Sequence, residues 1–144
     1  MSHDFGFERV YVELEIYDGP RVGIADVHGV PHRFSSKYDE NDAGGLGTFS
    51  IVPIDPSVLE LEQAQWSIYV AWNRRCEAGA SASDLHPGEG GVDSRWDELQ
   101  VLLAESRGAF SACARQAKAE KQWIERDERY AEDGPDYRMR WTLL

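Results

Sequence analysis

Positive charge is scarce in this sequence, above all in its first half. The chain has 15 Lys and Arg against 26 Asp and Glu, a formal net charge of −11 at pH 7. Residues 1–72 carry 4 basic and 12 acidic side chains, or −8, and residues 73–144 carry 11 and 14, or −3. Nucleic acids and anionic lipid surfaces are both bound mainly through Lys and Arg. The charge therefore argues against nucleic-acid and membrane partners and favours a basic protein partner.

Cysteine and long apolar runs are also scarce. Cys76 and Cys113 form no C-x-x-C motif and cannot supply the four clustered ligands of a structural zinc site. We interpret them as buried free thiols of a reducing compartment, with a disulfide between them as the alternative. No apolar run approaches the ~20 residues of a membrane span, and residues 1–10 lack the basic and apolar regions of a signal peptide. We expect a cytoplasmic protein.

Catalytic and cofactor motifs are absent as well. The sequence contains no G-x-S-x-G elbow for a nucleophilic serine and no H-E-x-x-H pair for zinc. The acidic loop over 39–47 lacks the ligand spacing of an EF-hand, and its glycines precede a strand rather than a helix. We predict no catalytic residues and no cofactor, and we expect a binding protein rather than an enzyme.

Strand-like alternation is the clearest pattern that is present. The stretch 10–17 alternates with a period of two, which is typical of a strand with one buried face. Further strands are predicted over 22–27, 30–38 and 48–54, so that 8–54 forms an antiparallel meander. The first strand is expected to place Val10, Val12, Leu14 and Ile16 on one face and Tyr11, Glu13, Glu15 and Tyr17 on the other.

Helical signals follow the meander. Asp55 and Pro56 are typical of a helix start and Gly79 of a helix end, which predicts a helix over 55–79. Its buried stripe is expected to contain Leu61, Ala64, Ile68, Trp72 and Cys76.

A second helical region is predicted over 93–131, as one helix or a helix pair, and a fifth strand over 137–143. Strands followed by helices indicate an α+β fold. We predict a single domain over 1–144, in which an antiparallel sheet of four to five strands packs against two or three helices. The last strand could also return to the sheet and close it toward a small barrel.

Asp26, His28 and His32 are the candidate metal ligands, since imidazole and carboxylate suit transition metals. The pair His28–Gly29 also suits a two-residue hairpin turn, because glycine accepts positive φ. Such a turn would pair Val27 with Val30, Asp26 with Pro31 and Ala25 with His32. It would put Asp26 and His32 on opposite faces, so we predict a hairpin tip and no metal site.

The face formed by Tyr11, Glu13, Glu15 and Tyr17 is the best candidate for a partner-binding surface. Tyrosine is enriched at protein interfaces, and the two carboxylates suit a basic partner. Trp66 lies off the predicted helix stripe and Trp123 lies among charged residues, so both are further candidate contacts.

Three functional hypotheses remain open. The first is a small regulatory or neutralising module, similar in role to an immunity protein or inhibitor, that docks a basic protein. The alternative is a small enzyme or ligand-binding domain with a pocket between sheet and helices, using Asp26, His32 or Glu13 as polar groups. The third is a homo-oligomer with Trp66, Trp123 and the C-terminal strand at its interface.

Overall fold

The computed structural model describes residues 5–16, 20–36, 48–79, 85–108 and 114–144. Its strands are β1 (Glu8–Ile16), β2 (Pro20–Val27), β3 (Val30–Ser36), β4 (Thr48–Pro53), β5 (Arg115–Trp123), β6 (Tyr130–Ala131), β7 (Gly134–Pro135) and β8 (Tyr137–Leu143). Its helices are α1 (Pro56–Glu77) and α2 (Ser94–Gly108), with a 3₁₀ turn at Pro87–Glu89 between them. Six strands form a closed antiparallel barrel in the order β1-β2-β3-β4-β5-β8, and β6 and β7 form a separate ribbon.

The closed barrel corrects the predicted fold. β8 pairs with β5 along its whole length and with β1 at Glu8↔Met139 and Arg9↔Arg138. The strand predicted over 137–143 is therefore present, but it joins the first strand to the fifth. The prediction of an open sheet of four to five strands packed on helices is wrong, and the closure that the sequence left as an alternative is what forms.

The predicted turn at His28–Gly29 is confirmed. His28 has a φ of +51° and Gly29 a φ of +82°, as a tight two-residue hairpin requires. The Glu8 side chain holds the turn by accepting hydrogen bonds from the backbone N–H groups of His28 and Gly29, at 2.9 and 2.7 Å. The pairs across the hairpin are those expected: Val27↔Val30, Asp26↔Pro31 and Ala25↔His32.

β1 departs from the regular alternation that the sequence predicted. Its register with β2 shifts between Val10 and Val12 and again between Glu13 and Glu15. Such an irregularity turns the following side chains toward the other face of the sheet. Val10 therefore joins the apolar core of the barrel, whereas Val12 packs with residues of α1 in a second cluster. The single apolar face predicted for this strand is wrong.

Aromatic rings fill the barrel core. Phe34, Phe49 and Trp141 contact one another with ring centroids 5.4–5.6 Å apart. β5 contributes two small buried side chains to the same cluster, Ala117 and Ala119. Small residues on one strand leave the volume that three large rings need, since protein interiors are close-packed.

β5 lies inside the region where the sequence predicted a helix or helix pair, 93–131. The segment RQAKAEKQW is rich in Ala, Lys, Glu and Gln, which are good helix formers. Its burial nevertheless alternates: Ala117 and Ala119 are buried, and Lys118 and Glu120 are exposed. Pairing with both β4 and β8 outweighs the helical propensity, so only the first part of the predicted region, α2, is helical.

α1 packs against the outside of the barrel through a different face from the predicted one. The predicted stripe followed the apolar residues, but two of the four residues buried on α1 are polar. Cys76, predicted to be buried, is exposed, and Cys113 lies outside the described residues. The buried residues are Glu62, Gln65, Trp66 and Val70.

The β6–β7 ribbon packs against the part of β1 beyond its pairs with β8. Gly134 has a φ of +130°, and a Cβ at this position would overlap the backbone carbonyl of Val10. Glycine is therefore required where the ribbon meets the barrel wall.

The described ranges contain no helix that could span a membrane. None of the helices there is both long enough and apolar enough to cross a bilayer.

Candidate functional site

A cleft lies between the outer wall of the barrel and the two helices. It consists of two adjoining cavities of about 290 and 510 Å³. Leu14, Gln65 and Trp96 line both cavities, which makes them neighbouring compartments of one cleft. Volumes of this size are typical of sites for small organic molecules.

The smaller compartment, here called the aromatic cavity, has ring side chains from four separate segments. Tyr69 and Tyr130 pack edge to face with their centroids 5.1 Å apart, and Trp66 lies 5.6 Å from Tyr130. The indole N–H of Trp66 donates to the Ala131 carbonyl at 2.7 Å, which ties α1 to the ribbon. The rings that line the cavity are Trp66, Tyr69, His86, Trp96 and Tyr130.

The 3₁₀ turn at Pro87–Glu89 positions His86 in this group. The backbone N–H of Gly88 donates to His86 Nδ1 at 2.8 Å, so Nδ1 carries no proton in this arrangement and Nε2 is the ring's donor. The imidazole packs against Trp72, with centroids 4.6 Å apart, and lies 5.9 Å from the Trp96 ring. The imidazole thus supplies a polar group within a mostly apolar wall.

The larger compartment, here called the arginine cavity, carries positive charge. Arg33, on the outer face of β3, donates to Glu62 Oε2 at 3.0 Å, and Arg107 of α2 donates to the other oxygen of the same carboxylate. The Glu62 side chain is completely buried, and that of Arg33 is 2% exposed. One carboxylate from α1 thereby joins a barrel strand to α2.

Side-chain amides complete this cluster. Arg107 also donates to Gln65 Oε1 at 2.7 Å and to Gln100 Oε1 at 3.1 Å. Gln65 Nε2 donates to Gln100 Oε1 at 2.8 Å, which fixes the orientation of both amides. Because hydrogen bonds to charged groups are strong, this network should hold the arginine cavity in one shape.

A second buried carboxylate, Glu13, closes the far side of the aromatic cavity. It is 4% exposed and accepts two hydrogen bonds from Arg129, at 2.8 and 3.1 Å, and one from the Tyr137 hydroxyl at 2.8 Å. Burial, reinforced by the Glu13 charge, raises the pKa values of Tyr130 and Tyr137 above the ordinary tyrosine range. The Tyr137 hydroxyl already donates to Glu13, and the Tyr130 hydroxyl is hydrogen-bonded to Tyr69.

The three candidate metal ligands are not brought together. Asp26 accepts a hydrogen bond from the Tyr11 hydroxyl at 2.9 Å, His28 Nε2 lies 3.3 Å from the Trp141 carbonyl, and His32 Nδ1 lies 2.7 Å from the Val30 carbonyl. No group of three His, Cys, Asp or Glu with metal-binding geometry occurs among the residues that the structure describes.

The predicted partner-binding residues are dispersed. Tyr11 is half-buried and Glu13 is buried in its ion pair, so the two do not form an open acidic face. The Glu15 side chain and Tyr17 lie outside the described residues.

The two tryptophans proposed as partner contacts also differ. Trp66 is 3% exposed and belongs to the interior, which corrects its predicted place on the surface. Trp123 is 55% exposed and accepts a cation–π contact from Lys121, whose Nζ lies 4.0 Å from the ring centroid.

Most of the cleft was not predicted from the sequence. On α1, the residues Glu62, Gln65 and Trp66 follow helical spacing, and that spacing is the signal that could have revealed their shared face. Nothing in the sequence indicates that Arg33 and Arg107 would share one carboxylate. Comparisons of the chain with protein-family models, with curated proteins and with solved structures find no match, so the cleft itself carries the functional argument.

Proposed function

We propose that this protein binds a small organic molecule with a flat, apolar body in the cleft between the barrel and its helices. The observation that carries the proposal is the aromatic cavity, where five rings from four segments line a space that continues into a second compartment. Sites for small molecules are typically concave and mostly apolar, with a few placed polar groups. Glu13, one of the polar groups named in the pocket hypothesis, lines the aromatic cavity.

Rigidity of the wall supports the same conclusion. Trp66 is fixed by its bond to Ala131, His86 by its bond to Gly88, and Gln65 by bonds to α2. A wall that is ordered before binding loses little conformational entropy when a ligand enters. The side chains of Leu14 and Trp96 are shared by both compartments, which gives an elongated ligand a continuous apolar surface.

A ligand-observed NMR screen tests the proposal. Naphthalene and indole derivatives of different charge would be screened with the wild-type protein and with Leu14→Trp, which adds bulk where the two cavities meet. We expect several compounds to bind the wild type at or below millimolar concentration and to lose binding to the variant. Val101→Trp is the matched control, because Val101 is 77% exposed on α2 and lines neither cavity.

Two results would contradict the proposal. One is that no ring compound binds the wild type at millimolar concentration. The other is that Leu14→Trp and Val101→Trp reduce binding equally, since the compounds would then bind somewhere other than the cleft.

A basic protein partner is our second candidate, and a different surface now favours it. Residues 125–133 carry five acidic and two basic side chains around β6, or −3, and Glu125 and Asp127 are exposed there. Trp123, the exposed tryptophan, lies two residues before the start of this segment. An aromatic side chain beside an acidic surface suits a partner that carries Arg or Lys.

This candidate is tested with purified protein as bait at 50 and 300 mM NaCl. A supporting result is one identified basic protein that rebinds in purified form at a defined stoichiometry and is lost with Glu125→Lys/Asp127→Lys. The charge-matched control is Glu98→Lys/Glu105→Lys on α2, which should retain the partner. If the wild type and both double variants retain the partner equally, the acidic segment is not its binding surface.

A further inference from the structure

We infer that the ligand of the cleft is a monoanion, a carboxylic acid whose carboxylate lies against Arg107 while its apolar body lies on Trp96. This inference depends on the proposed function, since it assigns a chemical class to the ligand of the same cleft. The charge balance of the arginine cavity, its remaining hydrogen-bond donors and the position of Trp96 each support it.

The charge balance of the arginine cavity is the first support. Arg33 and Arg107 are the charged residues that line it within the described ranges, and Glu62 behind them is the carboxylate that pairs with both. No other carboxylate of the described residues lies within ion-pair distance of either guanidinium group. Two positive charges against one negative charge leave an excess of one. An uncompensated charge in a buried setting is costly. An excess positive charge is also unusual in a protein whose net charge is −11.

The remaining donors are the second support. The Nε atoms of Arg33 and Arg107 are buried, and neither has an acceptor among the residues that the structure describes. Arg33 is nearly inaccessible, whereas the Arg107 side chain is 20% exposed and is the arginine that a ligand can reach; its buried Nε becomes a donor to the ligand when the side chain shifts. Ser35 and Gln100 line the same cavity and add a hydroxyl and an amide beside it. A guanidinium group with neighbouring neutral donors is a typical carboxylate site.

The size of the excess charge favours a carboxylate over a phosphate ester. A carboxylate brings one negative charge, which matches the excess of one, whereas a phosphate monoester brings nearly two at neutral pH. Phosphate sites usually add the N–H groups of a glycine-rich loop or a helix N-terminus. The arginine cavity has side-chain donors instead. Trp96 is the cavity residue closest to the start of α2, and its backbone N–H already donates to the Asp93 carboxylate.

The position of Trp96 sets the orientation of the ligand. Trp96 lines both compartments, and Arg107 lines only the arginine cavity. A molecule that packs its rings on Trp96 and Leu14 therefore meets Arg107 at one end and the aromatic cavity at the other. Flat aromatic or other apolar carboxylic acids fit this order of groups.

A matched set of naphthalene probes tests the inference by isothermal titration calorimetry. The probes are 1-naphthaleneacetate, its neutral amide, 2-(1-naphthyl)ethylamine and 1-naphthyl phosphate. We expect the wild type to bind the carboxylate about tenfold more tightly than the amide, and more tightly than the amine or the phosphate, because a hydrogen bond to a charged group adds on that scale. Arg107→Gln should remove this preference, so that the carboxylate and the amide bind the variant with affinities within about twofold of each other. Arg95→Gln, an exposed arginine of the same helix paired with Glu98, is the control and should keep the preference.

A second variant guards against misfolding of Arg107→Gln. Gln100→Glu puts a carboxylate where Arg107 already donates a hydrogen bond, so it supplies the compensating charge from within the protein. We expect Gln100→Glu to raise the melting temperature and to lose the preference for the carboxylate. Gln122→Glu, on the exposed side of β5, should do neither.

The outcomes separate the inference from the proposed function. If all four probes bind alike, or if Gln100→Glu keeps the preference for the carboxylate, the inference is wrong and the cleft is still a ligand site. Tighter binding of the phosphate or the amine would also overturn it. If no probe binds the wild type and the ring-compound screen is also negative, the proposed function fails, and the inference fails with it.

Discussion

Glu13 shows how much a single buried side chain connects in this protein. Its carboxylate binds Arg129, which follows β5 in the chain, and the hydroxyl of Tyr137, the first residue of β8. The same carboxylate lines the aromatic cavity, so it contributes both to the stability of the barrel wall and to the shape of the cleft.

Replacement of Glu13 by Gln should destabilise the fold by about 2 kcal/mol, because Arg129 would keep only its ion pair with Asp136 and the hydroxyl of Tyr137 would lose a charged acceptor. Urea denaturation followed by tryptophan fluorescence measures the change. Glu120→Gln is the control, since its pair with Arg140 is solvent-exposed and should contribute at most about 0.5 kcal/mol. Equal effects of the two substitutions would mean that Glu13 has no special structural role.

Tyr137 predicts how stability responds to alkaline pH. Burial and then the Glu13 charge raise its pKa above the ordinary value of 10.0, so the unfolded chain loses this proton at a lower pH than the folded protein does. The contribution of Tyr137 to the free energy of unfolding should therefore be constant below about pH 10 and should fall as the pH rises above it.

Urea denaturation between pH 8 and 11.5, together with tyrosinate absorbance of the native protein, checks this expectation. Tyr137→Phe should be less stable at pH 8, because it loses the bond to Glu13, and should lose less stability between pH 10 and 11.5 than the wild type. A Tyr137 that ionises near pH 10 in the native protein would contradict the burial argument.

The sequence predicts only part of this residue-scale arrangement. It correctly placed His28 and Gly29 in a turn and separated Asp26 from His32, because hairpin geometry depends on local residues. It placed Glu13 on an exposed face, because strict alternation carries no information about a register shift. The partners that bury Glu13 are more than a hundred residues away in the chain and leave no local signal.

At the scale of secondary-structure elements, the contact between β2 and its neighbours depends on a position without a side chain. Gly23 faces Glu13 of β1 on one side and Phe34 of β3 on the other. A Cβ at Gly23 would overlap the backbone carbonyl of Val12 and approach the Phe34 ring to 2.8 Å. The backbone carbonyl cannot move away without disturbing the strand pairing.

Gly23→Ala should therefore lower the free energy of unfolding by about 2–3 kcal/mol, as overpacking of a close-packed core does. Gly108→Ala is the matched control, because it lies at the end of α2 with no atom within 4 Å of the added methyl group. It should be neutral or stabilising by up to about 1 kcal/mol. Thermal and urea denaturation of both variants measure the difference.

β5 illustrates why element types could be mistaken. Ala, Lys, Glu and Gln favour a helix in isolation, and the alternation of Ala117 and Ala119 with charged residues was the competing signal. Alanine is only weakly apolar, so the period-two pattern was less evident there than in β8, where Tyr137, Met139 and Trp141 alternate and where the predicted strand is confirmed.

At the scale of the whole molecule, the net charge of −11 produces a repulsion between like charges that favours expansion. Salt screens exposed charges, whereas the buried pairs of Glu13 and Glu62 are screened much less. We expect 0.5 M NaCl to raise the melting temperature at pH 7 by a few degrees, which corresponds to about 1 kcal/mol in the free energy of unfolding.

Differential scanning calorimetry at two pH values checks the source of this effect. Near the sequence pI of about 4.7 the net charge is small, so the same salt should give little stabilisation. Stabilisation of equal size at both pH values would point to a general effect of salt on hydrophobic burial rather than to charge screening.

The cleft belongs to this scale too, since it exists only when the barrel, α1 and α2 are assembled. The sequence allowed a pocket between sheet and helices but could not place its walls. Arg33 and Glu62 are 29 residues apart, and Ser106, which also accepts from Arg33, is 73 residues away. Such contacts follow from the packing of α1 and α2 against the outer face of the barrel and not from any local pattern.

The short join between β1 and β8 has a dynamic consequence. Barrel closure depends there on the pairs at Glu8 and Arg9, whereas β5 and β8 pair along the whole of β8. Partial opening of a protein starts where few hydrogen bonds hold two segments together. Backbone amides that close the join should therefore exchange with deuterium by a local fluctuation, while amides between β5 and β8 exchange only when the entire fold opens. The barrel should therefore open first at the join between β1 and β8, where the β6–β7 ribbon and the Glu13–Arg129 pair also lie.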